Sequence, residues 1–355
     1  MIFKGAKMEL KKLIVSIASL MSVTGNEAYG KNELEAIIGD VFDETFADKL
    51  GNRFFVKRCG RENAPRILID THMDEIGLMV TDIKEDGFIT VASVGGVDPR
   101  IMQASDVVIY GKEKIFGVVG STPPHLRRPD ESDSLKPITE LLIDTGYSKE
   151  RLSELIRLGT PVGFAPKYTE LSGGKLAGKG FDDKACAACA VEGISRVKRE
   201  DLAGDVYLML SSREETGSPG GAAPGAHAVD PDYAMIIDVN LGKTPDTPRH
   251  ETVDMGGGAS VLYCPVTDRK MTNMLVDEAN ERDIKTQPCV TGGHTGTNTP
   301  AINLIREGIP CVDVGLPLKS MHTCTEVLDL ADAESTAALT AAFISSKKIA
   351  EVFAR

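Results

Sequence analysis

Four short apolar runs in this chain each end in ionisable residues, and that pattern constrains the fold more than any other feature. Ile67-Leu68-Ile69-Asp70 leads into Thr71-His72-Met73-Asp74. Val206-Tyr207-Leu208-Met209-Leu210 leads into Arg213-Glu214-Glu215, and Ala234-Met235-Ile236-Ile237 into Asp238. Cys311-Val312-Asp313-Val314-Gly315-Leu316 runs towards His322. Runs this continuously apolar read as strands covered on both faces, because a strand with one wet face alternates apolar and polar residues. The covering layers are helical, and helical periodicity recurs over 8–22, 31–42, 183–198, 268–282 and 332–352. The sequence predicts a three-layer α/β domain, helices on both faces of a mainly parallel or mixed sheet. In open α/β sheets ligands sit beyond the carboxyl ends of the strands. Those ends carry His and carboxylates here.

The pattern changes between about 77 and 175. Residues 78–120 are rich in Val, Ile and Gly, with turn signals at Glu85-Asp86-Gly87 and Gly111-Lys112. They predict a run of short antiparallel strands. The tract 121–137, with four prolines and many charges, reads as a loop. We expect a β-rich, barrel-like domain at 77–174, inserted into an α/β domain built from 1–76 and 175–355.

Charge narrows the function. Lys and Arg number 40 against 52 Asp and Glu, a net charge of −12. That balance argues against sequence-independent nucleic-acid binding, which needs a basic surface, and against docking on an anionic membrane. No stretch approaches the ~20 apolar residues of a membrane span. Leu10, Leu13, Ile14, Ile17, Leu20 and Met21 read as the stripe of a mature helix rather than an export signal. The seven cysteines, an odd number scattered from Cys59 to Cys324, point to a reduced, cytoplasmic protein. Cys186-Ala187-Ala188-Cys189 lacks a second cysteine pair nearby and reads as small residues on one face of a packed helix.

The strand-end residues carry the chemistry. Singly, each has a plain reading. His72 followed by Asp74 suits a hydrogen-bonded structural histidine, and Asp182-Asp183 suits the acidic start of a helix. Asp238 suits a solvated strand end, and His322 a loop histidine. Glu214-Glu215 is harder to explain, because adjacent carboxylates at a covered sheet end are costly unless something cationic lies between them. Falling together, His72, Asp182, Glu215, Asp238 and His322 form a set of hard oxygens and imidazoles suited to zinc, cobalt or manganese. Three carboxylates and one bridging hydroxide balance the charge of two divalent ions. Glu214 is then free to act as a base. Two-metal sites, with ions ~3.5–4 Å apart, occur in aminopeptidases, phosphatases and nucleases.

One tract is more specific. Thr-His-Met-Asp-Glu-Ile-Gly-Leu-Met-Val (71–80) resembles the hallmark of the tetrahedral aminopeptidase family of peptidase clan MH, which groups glutamyl, leucyl and lysyl aminopeptidases, some formerly labelled endoglucanases. Further tracts match in order: Ser22-Val23-Thr24-Gly25-Asn26-Glu27, Pro123-Pro124-His125-Leu126, Gly180-Phe181-Asp182-Asp183-Lys184 and Glu214-Glu215-Thr216-Gly217. Asp238-Val239, Ile305-Arg306-Glu307-Gly308-Ile309-Pro310 and Met321-His322-Thr323 complete the set. Two tracts depart from the family pattern: Gly296-Thr297-Asn298-Thr299, where Gly-Thr-Asp-Ala is common, and the loop after Glu215, where an Arg is common.

The resemblance implies a zinc-peptidase fold with two divalent ions per subunit, zinc first, with cobalt or manganese as alternatives. It assigns His72 and His322 to one metal each, Asp182 to the bridge, and Glu215 and Asp238 to one metal each. Glu214 would be the general base, and Asp74 would orient His72. It also implies a cis peptide at Asp182-Asp183, and dimers, joined through the inserted domain, that build a tetrahedral dodecamer. His294, Thr295 and Gly296 are candidates for the substrate pocket. The expected activity is removal of N-terminal residues from peptides. The rivals are a glycoside hydrolase, which needs two carboxyls ~5–9.5 Å apart across a bond, and a catalytically silent scaffold of the same fold.

Overall fold

The computed structural model describes residues 9–123, 125, 136–217, 220–293 and 295–353. It is built on an 11-stranded mixed sheet and a separate closed barrel of six strands. The four apolar runs are neighbours at the middle of the sheet, in the order Asp205–Ser211, Arg66–His72, Tyr233–Leu241, Cys311–Lys319, and all are parallel. Their carboxyl ends therefore share one edge. Ser211 lies opposite His72, and Asp238 opposite Gly315. Antiparallel strands, Arg53–Lys57 on one side and Glu326–Asp329 on the other, extend the sheet.

Side chains alternate across a strand, so each apolar run feeds two cores. Ile67, Ile69, Leu208, Leu210, Met235, Ile237, Val312 and Val314 point into one core, shared with the helices Leu10–Ala18, Phe181–Arg196, Arg269–Glu281 and Leu330–Ser345. Leu68, Met209, Ala234, Ile236 and Cys311 point into the other, covered by the helices Ala222–Val229 and Thr299–Ile302. This is the expected three-layer arrangement. Cys186 and Cys189 are fully buried in the first core and form no disulfide.

Three helices differ from expectation, and the second, Lys31–Ile38, passes into a 3-10 turn over Gly39–Val41. The first ends at Ala18, because the chain then turns so that the Leu20 carbonyl and the Ser22 hydroxyl meet Lys184 Nζ at 2.8 and 3.2 Å. The last is broken into Leu330–Ser345 and Lys347–Phe353. At the break, Ser346 donates its hydroxyl to Glu278 Oε1 at 3.1 Å and accepts the Ile349 N–H at 3.3 Å, capping the second piece.

The barrel runs in the order Gly77–Ile83, Ile89–Val94, Leu142–Asp144, Lys114–Val119, Asp106–Tyr110, Pro161–Phe164, with every pairing antiparallel. Between its strands lies a helix, Lys149–Leu155, that the β-rich reading did not include. Ser148 caps it, and Leu152 and Leu155 fill the barrel core. Beyond the barrel, Thr169–Leu171 pairs with Lys175–Gly178 at the edge of the large sheet. Among the described residues no helix is long and apolar enough to cross a membrane.

Candidate metal centre

The carboxyl edge of the central strands gathers His72, Asp74, Asp182, Glu214, Glu215, Asp238 and His322. His72 is the last residue of its strand, and Asp238 lies within Tyr233–Leu241. Glu214 and Glu215 form a single helical turn after Asp205–Ser211. That turn is entered through Arg213 at φ +62° and left through Gly217 at φ +66°. Asp182 and Asp183 begin the Phe181–Arg196 helix with non-helical backbone angles, and the peptide bond between them is cis. Gly180, just before them, has φ +68°, and a Cβ there would lie 2.8 Å from Glu75 Oε2.

Asp182 stands at the centre. Its Oδ1 lies 3.0 Å from His72 Nε2 and its Oδ2 lies 3.4 Å from His322 Nε2. His72 Nε2 is also 3.9 Å from Asp238 Oδ1 and 4.0 Å from Glu214 Oε2. His322 Nε2 is 3.2 Å from Glu215 Oε2. The side chains thus form two trios that share Asp182: His72, Asp182 and Asp238, and Asp182, Glu215 and His322. Within each trio the donor atoms lie within 4.8 Å of one another. Most of this set is buried, but the His322 side chain is 38% exposed and that of Glu214 21%, so the site opens on that side.

Supporting contacts hold these groups in place. Asp74, with no exposed surface, accepts the backbone N–H of Glu214 at Oδ1 and that of Glu215 at Oδ2. His72 Nδ1 lies 3.0 Å from the Asp74 carbonyl and 3.6 Å from Asp74 Oδ1. Asp183 accepts the His72 N–H, and its second oxygen is buried without a hydrogen-bond partner.

The charges are unbalanced. Burial pushes the Glu214 carboxyl up to about 7, and the neighbouring carboxylates of Glu215, Asp182 and Asp74 add to the shift. Burial also raises Glu215 and, well above its ordinary value, Asp238. Hydrogen bonds to Asp182 and Glu215 push His322 up to about 10. Burial opposes charge on His72, yet Asp182 and Asp74 leave it well above its ordinary value. Burial raises Asp182 too, but the His322 and His72 rings more than offset it and hold this carboxyl low. A cluster that draws protons onto both imidazoles and onto the carboxylates of Glu214, Glu215 and Asp238 lacks positive charge. Among the described residues, the cationic partners of these carboxylates are the two imidazoles. Hard oxygens with imidazoles, two trios and a shared carboxylate fit a pair of divalent ions.

Residues 51–339 match the M42 glutamyl aminopeptidase family. The chain belongs to that family. It is a metal-dependent aminopeptidase, a hydrolase. A lysyl aminopeptidase of Pyrococcus furiosus is 31% identical over 344 residues, covering 96% of each chain. A TET aminopeptidase from a marine-sediment Thaumarchaeota archaeon superposes with a TM-score of 0.88 at 27% identity, covering 97% of this chain and 98% of that one. The TET1 peptidase of Pyrococcus horikoshii, described as assembling into a tetrahedron or a large octahedral shell, superposes at 0.83 with 28% identity, covering 95% and 99%.

Of the candidate substrate contacts, Thr295 and Gly296 lie in the loop before the Thr299–Ile302 helix, and His294 lies outside the described residues. Thr295 Oγ1 accepts from the Thr297 N–H at 3.2 Å. Asn298 anchors this loop, its Nδ2 donating to Asp70 Oδ2 and Ser211 Oγ, both at 2.9 Å, on the two strands that deliver His72 and the glutamates.

Sequence reading passed over two further supports. Glu326, 2% exposed, accepts the N–H groups of Phe181 and Asp182 at 2.6 and 3.3 Å. Glu75 is buried between Lys179 and Lys184, at 2.7 and 2.9 Å. The signal available was charge inside otherwise buried segments, and spacing alone does not pair such residues.

Proposed function

We propose that this M42 enzyme is a dinuclear aminopeptidase that cleaves N-terminal residues from short peptides, with His72, Asp182 and Asp238 holding one ion and Asp182, Glu215 and His322 the other. The observation that carries this reading is the pair of donor trios sharing Asp182. Divalent ions bound there would acidify water and polarise a carbonyl, the Lewis-acid chemistry peptide hydrolysis needs. Zinc is the first choice, with cobalt or manganese suited to the same donors.

The chain's own groups do the rest. Glu214 is partly exposed at the mouth of the site, and its carboxyl is raised to about 7. Ions bound beside it would draw that value down, leaving an ionised carboxylate free to act as the general base. It takes a proton from the attacking water and returns it to the departing amine. Asp74 fixes Glu214 through the backbone and holds His72 at the same time. The acidic lining favours a free α-amino group, which selects N-termini. Thr295, Gly296 and His294 are assigned to the substrate side.

Self-association is part of this reading. The outer face of the barrel exposes Phe116, Val118 and Leu142, with Phe116 70% exposed. A second copy is the occupant proposed for that face, giving dimers that build a tetrahedral dodecamer. We place the division at 77 and 174, with Thr169–Leu171 hydrogen-bonded to the peptidase sheet, and the enzyme in the cytoplasm, where its seven free thiols stay reduced.

A panel of aminoacyl p-nitroanilides, with each metal restored after chelator stripping, tests the activity and ranks side-chain preference. Free-amine substrates should be cleaved only with metal. Equal cleavage of N-acetylated substrates, or chelator-insensitive hydrolysis of cellulose, would overturn the reading.

A further inference from the structure

The inserted barrel meets the metal centre at the loop Val94-Gly95-Gly96-Val97, at the end of the strand Ile89–Val94. A Cβ placed on Gly96 would stand 2.8 Å from His322 Nδ1, 3.3 Å from Cε1 and 3.9 Å from Cγ. All three nearest atoms belong to that one ring. The φ of Gly96 lies outside the left-handed region, so its backbone does not demand glycine there. The demand comes from the imidazole.

Neighbouring contacts point the same way. A Cβ on Gly95 would lie 2.8 Å from Ile76 Cγ2 and 3.3 Å from the Glu215 carbonyl oxygen. Cys324, two residues after His322, packs on the barrel core, its Sγ 4.0 Å from Ser105 Oγ. Ile76 and the barrel residue Phe164 line a small cavity with Asp182, Glu215 and His322. His322 itself has φ +60°, and its loop is tied by the Thr323 hydroxyl to the Ser320 and Thr325 carbonyls at 2.7 and 2.9 Å. His72 is held differently, by the Asp74 carbonyl at its own strand end.

We propose that Gly96 is a positioning residue, and that through it the barrel sets the imidazole of His322 and so the strength of the Asp182–Glu215–His322 site. This rests on the two-cation reading above. Ordinary carbon contacts lie at about 3.5–4.0 Å, so an alanine methyl at 96 must drive the ring back by roughly 0.7 Å. Metal–ligand distances hold to about ±0.2 Å, so that retreat is too large for the trio to absorb. The His72–Asp182–Asp238 trio, whose imidazole is held at the sheet end, keeps its geometry.

Cobalt(II) titrated into chelator-stripped, full-length enzyme, followed by calorimetry and metal analysis, tests this. Wild type should bind two equivalents per chain. Gly96→Ala should keep the first at wild-type affinity and weaken the second about 10–100-fold, the usual loss when a ligand's support is disturbed. Both equivalents bound at wild-type affinity by Gly96→Ala would overturn the inference and leave the two-cation reading standing. Fewer than two in wild type would overturn that reading itself. The same change in a His322→Ala background resolves any folding defect. With the ring gone, the drop in metal-free thermal midpoint caused by Gly96→Ala should disappear. An equal drop in both backgrounds would overturn the proposal.

Discussion

Asp74 Oδ1 accepts the backbone N–H of Glu214 at 3.0 Å, and its Oδ2 accepts that of Glu215 at 3.2 Å and the Thr24 hydroxyl at 2.9 Å. One buried carboxylate therefore aims both glutamates of the candidate site, while the Asp74 backbone carbonyl meets His72 Nδ1 at 3.0 Å. Asp74→Asn would turn one acceptor into a donor facing an N–H donor. Leaving such buried groups unpaired costs about 1–3 kcal/mol. We expect a lower thermal midpoint and at least a tenfold loss of turnover, with metal still bound. Kinetics and metal analysis on the purified variant check this, and unchanged turnover would remove Asp74 from its positioning role.

Metal removal should weaken the fold. Asp182, Asp238, Glu214 and Glu215 crowd one site whose cationic partners among the described residues are imidazoles. Bound cations stabilise the folded chain by mass action and relieve carboxylate repulsion. Differential scanning calorimetry should show a lower midpoint after exhaustive chelation, restored by zinc, cobalt or manganese. An identical midpoint in fully stripped protein would count against the centre.

Asp313 supplies a pH dependence away from the metal centre. It is buried, its Oδ2 accepts the Thr297 and Thr299 hydroxyls at 2.6 and 2.7 Å, and burial raises it from 3.8 to about 6. Between those two values the folded chain holds a proton that the unfolded chain has released. Stability from this group is therefore present below about pH 4 and lost as pH rises to about 6, by roughly 3 kcal/mol. Asp313→Asn lacks that loss. Urea midpoints should show the variant gaining on wild type between pH 4 and 6 and then levelling off. A difference independent of pH would contradict the assignment.

Assembly should depend on the barrel's apolar face. Phe116 and Val118 alternate outward along Lys114–Val119, beside Leu142 on the neighbouring strand. Phe116→Glu places a charge where a second copy would bury an aromatic ring. Light scattering should show wild type as a large oligomer and the variant as a smaller species with intact secondary structure. A wild type that stays monomeric at micromolar concentration would rule this out.

The sequence exposed the sheet and the site because both obey local rules. Continuous apolar runs such as Ile67–Ile69 mark doubly covered strands, and the residues just beyond them share an edge once the strands are parallel. Local pattern stopped where a contact joins distant segments. Ser346 reads as helix, and only its bond to Glu278 shows why the helix breaks there. Lys149–Leu155 is seven residues long, too short for its period to stand out within a β-rich tract. Glu326 and Gly96 support the site from afar, and nothing beside them in sequence says so.

In the proposed mechanism adjacent glutamates divide the work, Glu215 holding an ion and Glu214 moving a proton. Metal content and turnover measured on the same samples of Glu214→Gln and Glu215→Gln test it most directly. Glu214→Gln keeps its shape but cannot accept a proton, so it should retain both metals and lose about 10²–10⁴ in turnover. Glu215→Gln gives up an anionic ligand, so it should lose metal first and recover partly when metal is added. A Glu214→Gln enzyme lacking one metal beside a fully loaded Glu215→Gln would reverse the roles, and less than a tenfold loss in both would contradict the mechanism.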